Sequence, residues 1–115
     1  MTLGELTKAR ERVPGETPVY FDLLQLVPTR FDSYRGFYDQ LALGYADDGR
    51  KTAEALLEQC RKANGQIFEG WKGGQYTMRD NTDLWISNRG HASGHRIVGL
   101  RFDHEWCATI ETEPE

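Results

Sequence analysis

Thr52-Ala53-Glu54-Ala55-Leu56-Leu57-Glu58-Gln59-Cys60-Arg61-Lys62-Ala63-Asn64-Gly65 carries the clearest period in the chain. Ala53, Leu56, Leu57, Cys60 and Ala63 recur at helical spacing, so residues 52–64 are expected to form a helix with one apolar face and one charged face. Thr52 can cap its first turn, and Glu54 sits where a negative charge suits the positive end of the helix dipole. Asn64 and Gly65 supply the stop. In this position Cys60 reads as a small buried hydrophobe.

Toward the N-terminus the pattern changes. Thr2 followed by Glu5 has the spacing of a capping box, and Leu3, Leu6 and Ala9 give a short helix over 3–11, which Pro14 and Gly15 end. Val19, Tyr20 and Phe21 are strand formers, predicting a strand over 18–22. From Leu23 to Gly36 the sequence reads as a structured loop, because Pro28 disrupts regular structure and Asp32, Ser33 and Gly36 are turn residues. Phe37 to Tyr45 predicts a second strand.

The half after the central helix is rich in sheet signals. Tyr76 and Met78 alternate in a short strand behind the Lys72-Gly73-Gly74 turn, and Leu84 to Ser87 offers another. Arg96–Phe102 and Trp106–Ile110 read as a final hairpin that reverses near Asp103, His104 and Glu105, although its apolar alternation is imperfect. The economical arrangement is an α+β fold: a small curved, mostly antiparallel sheet packed by one central helix, plus a short N-terminal helix. A length of 115 residues supports one domain over 1–115 with one modest core.

Composition narrows the function classes. With 38% apolar and 28% charged residues the chain is neither disordered nor membrane-like, and no apolar run reaches bilayer length. Residues 1–12 alternate charge with leucine and do not resemble a signal peptide, so a cytoplasmic location is expected. A net charge of −4 disfavours general nucleic-acid binding. Two cysteines, Cys60 and Cys107, imply no disulfide framework and fit a reducing compartment.

Two segments have residue types suited to binding. In Asp32-Ser33-Tyr34-Arg35-Gly36, Arg35 can grip a carboxylate or phosphate through two parallel hydrogen bonds, Tyr34 can stack or donate from its hydroxyl, and Ser33 adds a short polar contact. The alternative is a structural loop in which Arg35 pairs with Asp32 or Asp39. In Gly70-Trp71-Lys72-Gly73-Gly74-Gln75-Tyr76, adjacent glycines can turn successive amides toward an anion, with Lys72 adding charge and Trp71 bordering the site. The spacing departs from a phosphate-binding loop, so a plain strand connection is the competing reading.

His91, His95, His104 and Cys107 are metal-ligand types without a scaffold, because Ser93 and Gly94 oppose the helix that would align His91 with His95. No metal or other cofactor is expected. Asp22, Asp39 and Asp83, or Ser93 with His91 and Asp103, supply catalytic residue types but no recognisable motif, which leaves a small hydrolase as the least favoured reading and catalytic residues unassigned.

The order Val19-Tyr20-Phe21-Asp22, Pro28-Thr29, Asp32 to Tyr38, Leu41-Ala42-Leu43-Gly44, Phe68 to Met78, Leu84 to Asn88 and Ile97-Val98-Gly99 resembles a family of small accessory proteins of tailed bacteriophages. The resemblance spans most of the chain and leaves out the histidines. It implies a non-enzymatic accessory protein that binds and modulates a host or phage protein, acting in the cytoplasm of the infected bacterium. It also directs Ser33-Tyr34-Arg35-Gly36 and Lys72-Gly73-Gly74 toward a common surface. The alternative is binding or sequestration of a small anionic or nucleotide-like ligand by Tyr34, Arg35, Lys72 and Tyr76. A homodimer is a further possibility if a sheet edge or apolar patch stays uncovered.

Overall fold

The computed structural model describes residues 1–22, 26–34, 37–46, 51–69, 74–86, 95–102 and 107–114, with the backbone alone for 33–34 and 37–39. In chain order the elements are α1 (Leu3–Glu11), β1 (Val19–Phe21), β2 (Val27–Tyr34), β3 (Phe37–Ala46), α2 (Ala53–Ala63), β4 (Ile67–Glu69), β5 (Gln75–Thr77), β6 (Leu84–Ile86), β7 (His95–Phe102) and β8 (Ala108–Pro114). Six strands form one sheet in the order β1-β8-β7-β6-β3-β2, and β4 and β5 form a separate two-stranded sheet. This is the expected α+β architecture, with two parallel pairings, β1 with β8 and β3 with β6, among antiparallel ones.

Each helix starts against a loop from elsewhere in the chain, because the first amides of a helix have no partner within it. At α1 the Thr2–Glu5 capping box forms as predicted, and the amides of Leu3 and Gly4 donate to the carbonyls of Thr82 and Asp80. At α2 the amides of Ala53 and Glu54 donate to Thr17 and Gly15 carbonyls, while the Thr52 hydroxyl accepts from Ala55. Arg10 locks the two helices together: Nε donates to the Ala53 carbonyl at 2.6 Å and Nη2 reaches Glu54 Oε2 at 2.8 Å. The apolar face of α2 is buried as its period requires, with Ala53, Leu56, Leu57, Cys60 and Ala63 all inside.

The sheet is nearly closed. Its two outer strands approach where the Phe21 amide donates to the Leu26 carbonyl at 2.8 Å. Asp22 then clasps β8, accepting from the Thr112 amide at 2.9 Å and the Thr112 hydroxyl at 2.7 Å. The core lies between this curved sheet and the helices, with Phe21, Leu41, Leu43, Leu84, Ile97 and Ile110 from the strands meeting Leu3, Leu6 and Leu56.

One expectation is corrected. Within the stretch expected to be a loop over 23–36, residues 27–34 form β2, an eight-residue strand paired antiparallel with β3. Pro28 is tolerated because β2 is an edge strand, where a missing amide donor need not break a ladder on both sides. The register shifts between Pro28 and Phe31, so Thr29 and Arg30 together oppose Gly44, which is the geometry of a β-bulge. A methyl group on Gly44 would collide with the Thr29 hydroxyl, which explains why glycine stands there.

Candidate functional site

α2 ends at Asn64, and Gly65 follows with φ +89°, a conformation that favours glycine. The Gly65 amide donates to the Met78 carbonyl at 2.6 Å and the Met78 amide to the Gln66 carbonyl at 2.8 Å. The Asn64 side chain holds Asp80 at 2.7 Å. With Met78 fully buried, these bonds fix the root of the β4–β5 ribbon directly to the end of the central helix.

Beyond its root the ribbon is in water. Ile67 pairs with Thr77, Phe68 with Tyr76 and Glu69 with Gln75. Residues directly opposite share a face, so Phe68 and Tyr76 lie on one side and Ile67, Glu69, Gln75 and Thr77 on the other. Phe68 leans on the core, whereas Ile67 is 55% and Tyr76 42% exposed. The chain between Glu69 and Gln75 contains Trp71, Lys72, Gly73 and Gly74.

A cleft of about 510 Å³ lies beside the ribbon's root, between edge strand β2 and the C-terminal half of α2. Arg30, Phe31 and Asp32 contribute its strand wall, and Gln59, Lys62, Ala63 and Gln66 its helix side. Arg30 and Lys62 are exposed, and neither makes an ion pair or side-chain hydrogen bond among the described residues. Two cations against one carboxylate make the cleft locally positive in an acidic chain. A second recess, about 300 Å³ between α1 and β7, is lined by Ala9, Arg12, Val13, Leu100 and the partly exposed Phe102.

Of the eight residues assigned to binding from the sequence, Gly74 and Tyr76 are described in full. Gly74, at the entry to β5, has φ +88°, a conformation that favours glycine. Ser33 and Tyr34 stand in β2, opposite Leu41 and Phe37 at the turn end of the β2–β3 hairpin. Arg35, Trp71, Lys72 and Gly73 lie outside the described residues, as do His91 and His104. The described parts of the two segments therefore belong to different sheets, Asp32 to Tyr34 to the six-stranded one and Gln75 and Tyr76 to the two-stranded one. His95 begins β7 and Cys107 precedes β8; among the described residues no three metal-ligating side chains come together. Burial pushes the Cys60 thiol up to about 11, against weaker downward pulls from the Thr7 hydroxyl and the Arg10 charge, so it is a packing group and not a nucleophile.

Ile67, Arg30 and Lys62 went unnoticed at the level of sequence. The position of Ile67 just beyond the Asn64-Gly65 helix stop was the available signal for an exposed strand residue. Arg30 and Lys62 had none, since packing of α2 on β2 alone makes them neighbours. The chain matches no protein-family model, no curated protein and no solved structure.

Proposed function

We propose that the protein acts without catalysis, by binding another protein through the β4–β5 ribbon. The observation that supports this reading is an exposed isoleucine and tyrosine on a ribbon whose root is locked to buried structure. Two strands alone are marginal in water, and a partner laid over Ile67 would take its exposed apolar surface out of water. A rooted ribbon presents Ile67 on one face and Tyr76 on the other at little ordering cost on binding. Tyr76, with Trp71 in the connecting chain, provides the aromatic types that dominate interface energetics. The phage-family resemblance makes a host or phage protein the partner class.

The test places a photo-crosslinking phenylalanine analogue at Thr77, directly opposite Ile67 on the same face of the ribbon, and, as control, at Glu58 on the exposed face of α2, each in host-cell lysate. A discrete protein adduct is expected at 77 and not at 58, and Ile67→Ser should remove it while the circular dichroism spectrum stays unchanged. No adduct, an adduct indifferent to Ile67→Ser, or a product at twice the chain mass would overturn the reading, the last by assigning the ribbon to self-association.

A further inference from the structure

We infer that the cleft between β2 and α2 receives an extended, acidic segment of a partner protein, added as a further strand to the open edge of β2. The inference deepens the protein-binding role proposed above and rests on it. It concerns a different surface from the exposed side chains of the ribbon.

Three observations lead to it. First, the strand wall consists of three consecutive residues, Arg30, Phe31 and Asp32. Side chains alternate across a strand, so a recess touched by three in succession runs along the strand's edge and not over one face. β2 is the last strand of its sheet; β1 bonds to the chain just before it, at Leu26, but among the described residues no backbone hydrogen bond from β1 reaches Arg30 to Asp32, so that stretch of the edge presents its outward amides and carbonyls to whatever lies beside it. Second, the opposite wall repeats with helical spacing: Gln59, Lys62, Ala63 and Gln66 stand at intervals of three and four along α2 and its exit. An edge strand facing one stripe of a helix forms a trough in which an extended peptide can pair its backbone with the strand while its side chains meet the helix. Third, Arg30 and Lys62 face this trough from opposite walls, and the bulge at Thr29–Arg30 redirects the chain there. A carboxylate on the incoming strand would meet both.

A small polyanion is the competing occupant, and α2 weighs against it. The cleft lies at the C-terminal end of the helix, whose carbonyls carry partial negative charge. The single lysine on that wall offsets the field without making a site for concentrated charge, and Asp32 opposes such charge from the other wall. Main-chain pairing needs no concentrated charge.

The test starts from a random nonapeptide library selected on the intact protein. The tightest peptide is then synthesised with a fluorescent label and scanned by N-methylation, one amide at a time. Selected peptides should be enriched in Asp and Glu, and Arg30→Glu with Lys62→Glu should weaken binding by about tenfold or more. N-methylation should weaken binding at every second residue and leave the intervening ones unaffected, because a paired strand directs alternate amides to its neighbour. Ile67→Ser should leave peptide affinity unchanged, so failure of the cleft and failure of the ribbon give separate results. Absence of any selected peptide, an N-methyl scan without a period of two, or indifference to the two charge reversals would overturn the inference. So would displacement of the peptide by inorganic pyrophosphate that itself binds the cleft, since that outcome assigns a small-anion site.

Discussion

Arg10 and Cys60 show how single side chains near the helix contact are constrained by their surroundings. The Arg10 side chain is only 8% exposed while its partner Glu54 is 68% exposed, so the pair is not a buried salt bridge in the costly sense. Its value lies in the hydrogen bond from Nε to the Ala53 carbonyl and in the guanidinium body that fills space between the helices. Cys60 has the opposite chemistry. Its thiol stays protonated up to about 11 in the fold against an ordinary 9.0, so the unfolded chain ionises first as pH rises. Stability from this group is fully present below pH 9 and is lost progressively toward pH 11. Urea unfolding at intervals from pH 8 to 11 should therefore show the wild type losing more stability than Cys60→Ala across that window. Parallel curves would mean that the thiol is not held in a desolvated site.

At the scale of elements, the sequence was most legible where a period was local and complete. Both helices, their threonine caps and the Asn64 stop follow from spacing alone. β2 was misread because Pro28, Asp32 and Ser33 are turn formers in isolation, and only an edge position next to β3 makes them compatible with a strand. The imperfect alternation of the last hairpin has a physical cause as well. Its register shifts between Ile97 and Gly99, which resets the parity of the strand, so that Ile97 and Leu100, three residues apart, both pack on the core. The bulge in β2 can be tested through Gly44. A methyl there must displace Thr29, so Gly44→Ala should cost about 1–3 kcal/mol. Thr29→Ala in the same chain should recover part of that loss, with a coupling of roughly 0.5 kcal/mol or more by urea denaturation. Additive effects would contradict the bulge contact.

For the whole molecule, sheet order and closure were the least legible features. The parallel pairings of β1 with β8 and β3 with β6 join residues far apart in the chain, and no local pattern encodes their register. The same holds for the cleft, which exists because α2 lies against β2. Gly74 is legible from the sequence because a positive φ is a local demand, whereas exposure of Ile67 depends on how the rest of the core is already filled. What emerges is a nearly closed sheet sealed by two interlocked helices, carrying a ribbon joined to it through the end of α2 and the buried Met78. No helix among the described residues is long and apolar enough to cross a membrane.

The most direct measurement of that division is amide hydrogen exchange on the free protein, read by mass spectrometry, with and without Ile67→Ser. Amides of 67–69 and 75–77 should exchange about a hundredfold or more faster than those of Leu56, Leu57 and Ile97, and Ile67→Ser should leave protection of α2 and β6–β8 unchanged. Ribbon amides as protected as α2, or a loss of protection spreading into the sheet on Ile67→Ser, would contradict it, because the ribbon would then be part of the core and not a surface held out for a partner.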